Sequence, residues 1–194
     1  MTRGRLIAFE GLDQSGKQTQ ALRLRHALEA RGLGVVSFDF PDYATPVGRE
    51  IGAALGGERA FPPDCLQLLY VANRCEHRPA IEAALAAGQW VVCDRYLASS
   101  IAYGEAQGLD PAWLALIQRV LPPADLTVLL DIAPDIAANR KQQQRDAFEQ
   151  DLALLGRVRA SYLRQASGAP AWRVIDAARD RDEVTADVVT LVTP

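Results

Sequence analysis

The residues from Gly11 to Thr19 have the types and the spacing of a phosphate-binding loop. They follow the pattern Gly-x-x-x-x-Gly-Lys, with Lys17 directly after the second glycine. Glycines let the backbone turn tightly and come close to a phosphate chain. Successive backbone N–H groups then face one anion-binding concavity, and a lysine at this place neutralises charge on the phosphoryl group being moved. The spacing therefore predicts a loop that binds nucleotide phosphates.

The position after the lysine departs from this pattern. A P-loop normally has Ser or Thr there as a magnesium ligand, but here the residue is Gln18 and the hydroxyl follows at Thr19. Thr19 cannot replace it at the metal, because each helical residue advances by about 100°. Gln18 can offer an amide oxygen, or water can fill the place.

Asp94 ends the third predicted apolar strand, residues 89–94, and Arg95 follows it. Both are expected at the edge of the sheet where the phosphate-binding loop lies. In P-loop enzymes a carboxylate at this place holds Mg²⁺, directly or through water, although an Asp here can also cap a helix. The guanidinium of Arg95 can grip a phosphate with two hydrogen bonds. If residues 95–106 are helical, Ser99 and Tyr103 share a face with Arg95, with Ser100 beside them.

A second pair suits a nucleobase. Tyr70 and Arg74 are four residues apart in a predicted helix, so they lie on one helical face. The ring can stack on a base while the guanidinium donates to a base carbonyl. The same spacing of Tyr and Arg also occurs on ordinary helix surfaces. For the other predicted wall, the alternative is that Tyr103 is a core residue.

The elements that position these residues alternate regularly along the chain. The predicted strands cover about residues 5–10, 34–40, 89–94, 125–131 and 172–176, and the predicted helices about 17–31, 47–55, 62–87, 95–106, 111–121, 134–145, 147–166 and 180–192. Strands that alternate with helices predict a three-layer α/β sandwich, with a five-stranded parallel sheet flanked by helices. Ligands should lie beyond the carboxyl ends of the strands.

Composition restricts the class of protein. A length of 194 residues favours one domain covering 1–194, and a formal charge of −3 gives no sign of a nucleic-acid surface. Three scattered cysteines favour a reducing, cytoplasmic setting over a disulfide framework. We expect no signal peptide, since the first residues lead directly into a strand, and no apolar run is long enough to span a bilayer.

Taken in order, these motifs resemble those of bacterial thymidylate kinases, over nearly the whole chain. The matching stretches are 9–20 with its P-loop, Phe40-Pro41, 68–74 with its Asn-Arg, Asp94-Arg95-Tyr96, Phe148-Glu149 and 158–163. The resemblance implies the fold of P-loop nucleoside monophosphate kinases. It also implies phosphoryl transfer from ATP to dTMP with Mg²⁺, and a homodimer.

The resemblance also implies roles for individual residues. Tyr70 stands where an aromatic residue stacks on thymine, and Arg74 where an arginine reads a base carbonyl. Arg95 resembles the clamp on the acceptor phosphate, and Asp13 the acceptor for the deoxyribose 3′-hydroxyl. The other residues expected around dTMP are Phe40, Tyr43, Ser100 and Tyr103, and those expected around ATP are Gly11, Leu12, Asp13, Gln14, Ser15, Gly16, Lys17, Gln18 and Thr19.

Departures from the family concern the source of positive charge. Gln14 stands where one class of these kinases has a P-loop arginine, so this chain should resemble the class that supplies an arginine from its lid, here about 138–149. Arg145 and Arg140 are the candidates, because Ala147 occupies a place that is often arginine in the family. The remaining alternatives are a P-loop kinase for another (deoxy)nucleoside or nucleoside monophosphate, a nucleotide-binding switch, and a catalytically weakened relative.

Overall fold

A computed structural model of the chain describes residues 3–140 and 151–193. They form five parallel strands in the order β2-β3-β1-β4-β5. The strands are β1 (Leu6–Glu10), β2 (Val35–Asp39), β3 (Trp90–Asp94), β4 (Leu126–Asp131) and β5 (Trp172–Asp176). This order places β1, and the loop that follows it, at the centre of the sheet.

Eight helices in the described residues connect and cover the strands. They are α1 (Lys17–Glu29), α2 (Pro46–Leu55), α3 (Pro63–Ala86), α4 (Leu97–Ala106), α5 (Pro111–Ile117), α6 (Pro134–Arg140), α7 (Leu152–Ala166) and α8 (Arg181–Val192). The predicted α/β sandwich is confirmed. The predicted helix over 95–106 begins later, at Leu97, and α3 continues through Pro79. The predicted helices 134–145 and 147–166 reach into residues 141–150, which lie outside the described residues.

The core consists of two layers, one on each face of the sheet. Alternate side chains of β1 point to opposite faces, as the period of a strand requires. Ile7 and Phe9 pack with the helices α1, α7 and α8, whereas Leu6 and Ala8 pack with α3. The three inner strands are buried almost throughout, but the edge strands β2 and β5 are partly exposed. The sheet is therefore fully covered only at its centre.

The carboxyl ends of β1, β2 and β3 carry the predicted functional residues to one edge of the sheet. Phe9 lies beside Asp94, and Asp39 lies on the other side of Asp94 in register. The chain leaves β2 through Phe40 and a cis peptide bond to Pro41. Within residues 3–140 and 151–193, no helix is both long and apolar enough to cross a membrane.

Candidate active site

The loop after β1 has the backbone conformation of an anion-binding turn. Gly11 has φ of 140°, and a Cβ there would lie 2.5 Å from the carbonyl oxygen of Leu130, so the position requires glycine. Gly16 has φ of 94°, and Gln14 takes the left-handed region at 64° although it has a side chain. Ser15 Oγ is buried and has no hydrogen-bond partner among the described residues. The loop therefore leaves a hydroxyl and backbone donors available to an anion.

Lys17 lies buried against this loop. Its ammonium donates to the carbonyl oxygen of Leu12 at 2.8 Å, so the side chain folds back over the concavity. Burial, and secondly the nearby charge of Arg95, lower the pKa of Lys17 to about 8, against the opposing effect of Asp13. The ammonium is still mainly protonated at pH 7.

Arg95 is the centre of the polar contacts at this edge. Its Nη1 donates to the carbonyl oxygen of Gly11 at 3.1 Å and to Ser99 Oγ at 3.2 Å. Its Nη2 donates to Asp13 Oδ1 at 2.5 Å, and Tyr103 OH donates to Asp13 Oδ2 at 3.0 Å. Arg95 lies before helix α4 and has a left-handed backbone conformation, with φ of 61°. The prediction that Arg95 shares a helical face with Ser99 and Tyr103 is therefore wrong. The predicted grouping of Arg95, Ser99 and Tyr103 is nevertheless present.

The charges of Asp13 and Arg95 stabilise each other. Burial alone would raise the pKa of Asp13, but the positive charges of Arg95 and Lys17 hold it well below its usual range. Burial alone would lower the pKa of Arg95, and the Asp13 carboxylate raises it well above its usual value. Both groups therefore remain charged near neutral pH.

A buried carboxylate that was not singled out from the sequence supports this arrangement. Glu10, the last residue of β1, accepts from the backbone N–H of Tyr96 at 2.8 Å and from Ser99 Oγ at 2.6 Å. It also accepts from the hydroxyl of Tyr162 at 3.1 Å. Tyr162 belongs to α7 and lies 3.4 Å from Arg95 Nη1. Nothing in the local sequence links residue 162 to residue 10, since only tertiary packing brings them together.

The predicted base-binding residues line an open cleft next to Arg95. Arg74 is buried, and its Nη1 donates to Ser100 Oγ at 2.8 Å and to the carbonyl oxygen of Tyr70 at 3.3 Å. Its guanidinium lies 5.9 Å from the ring centroid of Phe40. Burial lowers the pKa of Arg74. The cleft is lined by Asp13, Phe40, Pro41, Tyr43, Leu55, Gln67, Tyr70, Arg74, Arg95, Ser99, Ser100 and Tyr103.

All predicted dTMP-site residues therefore line one cleft, which also includes residues that the sequence did not indicate. Leu55 and Gln67 are the additions that face the base-binding residues. Leu55 ends a short helix and carries no chemical signal. Gln67 lies in an otherwise apolar turn of α3, where a single amide resembles a chance surface residue.

A wider cleft lies on the other side of the P-loop. It is lined by Gln14, Ser15, Gly16, Thr19, Gln20, Arg23, Arg140, Ala177, Arg179, Asp180, Arg181, Asp182 and Val184. Arg140 Nη1 donates to the carbonyl oxygen of Gln14 at 3.2 Å, and its Nη2 to that of Ala177 at 2.8 Å. The predicted lid extends over 138–149, but only 138–140 belong to the described residues. Arg145, Ala147, Phe148 and Glu149 lie outside them.

The residues expected at the metal differ in their surroundings. Asp94 Oδ1 is buried and has no hydrogen-bond partner in the described part of the chain, and its charge acts on Lys17. Gln18 is exposed on the first turn of α1. Among residues 3–140 and 151–193, no group of three or more His, Cys, Asp or Glu side chains could hold a metal.

Comparisons with known proteins agree with this geometry. A family model described as thymidylate kinase matches residues 9–188. A thymidylate kinase of Bordetella petrii is 38% identical over 195 residues, covering 96% of this chain and 93% of its own length. That of Plasmodium falciparum is 33% identical, with coverage of 98% and 90%. The structure of thymidylate kinase from Candida albicans matches with a TM-score of 0.81 and 29% identity, covering 98% of this chain and 91% of that one.

Proposed function

Because the chain belongs to the thymidylate kinase family, we propose that its two clefts hold the two nucleotides of that reaction. The chain is an enzyme that transfers a phosphoryl group from ATP to dTMP, giving dTDP and ADP. The proposal concerns which residues perform this reaction. It rests chiefly on Arg95, whose guanidinium contacts the P-loop and lines the cleft of the base-binding residues.

ATP is bound by the P-loop and by the wider cleft. The backbone N–H groups of 11–19, with Ser15 Oγ, surround its phosphates, and Lys17 extends along them. The nucleoside of ATP lies in the wider cleft. There Arg140 donates to the carbonyl oxygens of Gln14 and Ala177, which both line this cleft.

dTMP occupies the cleft that Tyr70, Arg74 and Arg95 line. Its thymine stacks on Tyr70, and Arg74 donates to a base carbonyl with Ser100 beside it. Tyr103 and Asp13 hold the sugar at its 3′-hydroxyl, and Tyr43 lies near its 2′ position. Phe40 closes the base side, and Arg95 grips the acceptor phosphate.

Transfer then needs alignment and charge rather than a strong base, because the acceptor is already a phosphate. An oxygen of the dTMP phosphate forms a bond to the γ-phosphorus as the bond to the ADP oxygen breaks. Lys17 and Arg95 surround the moving group with positive charge. A lid arginine, Arg145 or Arg140, adds to it when the lid closes and excludes water.

We propose Mg²⁺ as the resident metal, held by Asp94 directly or through water. The unpartnered Oδ1 of Asp94 provides an oxygen of the kind that Mg²⁺ prefers. When bound, the ion neutralises charge on the phosphates of ATP. Gln18 is the alternative contact, and its exposed position favours contact through water.

A second copy of the chain is the proposed partner. Leu68 on α3 and Leu116 on α5 are 49% and 54% exposed, and α3 contacts α5, so apolar surface is available on these neighbouring helices. Light scattering should give twice the mass of 21.1 kDa, and Leu68→Arg should shift it toward the monomer. A monomeric wild-type chain would contradict the homodimer.

The three cysteines are free, which supports the cytoplasm as the compartment.

Replacing the central cations tests the residue assignments. Lys17→Ala and Arg95→Ala should each reduce kcat by at least about 100-fold, as expected for losing charge stabilisation of a transition state. Arg25→Ala is the matched control, because Arg25 is an exposed helical arginine that pairs with Glu29 away from both clefts. Circular dichroism confirms that each variant is folded. Normal turnover in Lys17→Ala would refute the P-loop assignment.

A further inference from the structure

One buried polar side chain in the acceptor cleft has no role in the reaction described above. Gln67 is 0% exposed, and it lines the cleft together with Tyr70 and Arg74. Both polar atoms of its amide, Oε1 and Nε2, lack a hydrogen-bond partner among the described residues. Burying an amide without hydrogen bonds is unfavourable, so such a group calls for a partner that enters the site.

The position of Gln67 on helix α3 directs it to the proposed base. Residues 67, 70 and 74 are spaced i, i+3 and i+7, so they lie on one face of the helix. The guanidinium of Arg74 folds back toward Tyr70, whose carbonyl oxygen it contacts at 3.3 Å. The amide of Gln67 therefore lies on the same wall, about one helical turn before the ring on which the base stacks.

Without Gln67, hydrogen-bond acceptors are scarce beside the base-binding residues. The edge of thymine carries a carbonyl oxygen on either side of the N3–H donor. Arg74 can only donate, and Ser100 Oγ already accepts from Arg74 Nη1 at 2.8 Å. Gln67 Oε1 is an acceptor without a partner at this end of the cleft, and its Nε2 adds a donor beside it. An amide thus matches N3–H together with one adjacent carbonyl.

We propose that Gln67 is a specificity-determining residue that hydrogen-bonds to the N3–H and an adjacent carbonyl of the acceptor base. This inference rests on the proposed placement of thymine beside Tyr70 and Arg74. An amide can rotate by 180° and pair equally well with cytosine, so Gln67 does not separate thymine from cytosine. It selects for an unsubstituted N3 edge, whereas Arg74 selects for a carbonyl.

Kinetics with dTMP and its N3-methyl derivative test this proposal. The methyl group replaces the N3–H, from which Gln67 Oε1 would accept a hydrogen bond. The variant is Gln67→Leu, with Gln67→Met as an unbranched second choice if the first does not fold. Gln118→Leu is the matched control. Gln118 is also a buried glutamine with an unpartnered Oε1, but it lies in the segment after α5 and not in the cleft.

In Gln67→Leu, KM for dTMP should rise about 3- to 10-fold, the range of a neutral hydrogen bond, with kcat within twofold. The preference for dTMP over N3-methyl-dTMP should fall at least fivefold. The preference is measured by turnover or by competition against dTMP. Gln118→Leu should leave both quantities within twofold, whatever its effect on Tm.

An unchanged preference in both Gln67 variants would overturn the inference, as would equal losses for the two substrates. Tyr70→Ala separates that failure from a failure of the base site itself. If Tyr70→Ala raises KM for dTMP and Gln67→Leu changes nothing, the base site stands and Gln67 has no part in it. If neither variant changes KM, the proposed placement of thymine is wrong.

Discussion

The ammonium of Lys17 should make the use of ATP depend on pH in the alkaline range. Burial, and secondly the charge of Arg95, lowers the pKa of this group from its ordinary value of 10.5 to about 8. In the free enzyme about nine tenths of the ammonium groups are then charged at pH 7, and about one tenth at pH 9. ATP phosphates favour the charged form, so binding above pH 8 must include the uptake of a proton.

The expected result is a fall of about tenfold in kcat/KM for ATP between pH 7 and 9, with a midpoint near 8. At saturating ATP, kcat should fall less, because bound phosphates raise the pKa of Lys17. Initial rates at constant ionic strength, measured from pH 6.5 to 9.5 with saturating dTMP, provide both profiles.

Neighbouring groups do not explain such a fall. Burial raises the pKa of the phenol groups of Tyr103 and Tyr162 far above their usual value, so neither ionises in this range. A loss of folding stability through Lys17 cannot explain the fall either, because its effect on stability has the opposite sign. Because the folded pKa lies below the unfolded one, the unfolded state binds more protons between pH 8 and 10.5, and the contribution of Lys17 to stability rises with pH.

Lys17→Arg is the control for the alkaline profile. A guanidinium does not titrate below pH 12, so the residual activity of this variant should not fall between pH 7 and 9. A wild-type profile that stays flat to pH 9.5 would refute the reasoning. The same midpoint in Lys17→Arg would assign the titration to another group.

Three further changes test separate parts of the site. Asp94→Asn should reduce kcat about 100-fold and raise the Mg²⁺ concentration needed for half activity. Asp39→Asn, at the end of the adjacent strand, should change neither quantity. Equal effects of the two substitutions would indicate a general effect of negative charge rather than a metal contact at Asp94. Arg145→Ala should lower kcat more than nucleotide affinity, and an unchanged kcat would transfer the role to Arg140. Tyr162→Phe should lower the free energy of unfolding by about 1 kcal/mol in urea, through the loss of buried hydrogen bonds; an unchanged stability would contradict those contacts.

The parts of the site that local spacing determines could be predicted from the sequence. The P-loop is one continuous stretch, so its residue types specify both the turn and the helix that follows. Tyr70 and Arg74 are one helical turn apart, and both line the same cleft. Arg95 and Tyr103 also come together, although the helix that suggested this begins only at Leu97.

The rest depends on packing between distant elements. Glu10 and Tyr162 are 152 residues apart and meet only because α7 packs against α4 and the sheet. Gln67 is inconspicuous until its burial and its missing partners are known.

An assay of ADP release with ATP and Mg²⁺ against dTMP, dUMP, dCMP, dGMP, dAMP and UMP tests the central claim most directly. We expect a strong preference for dTMP, because Tyr70 and Arg74 present a stacking ring and a carbonyl-reading cation in the acceptor cleft. Main activity on another monophosphate would keep the phosphoryl-transfer chemistry but contradict the base site. No activity on any of them, from folded protein that binds ATP, would contradict the account and favour a catalytically weakened relative.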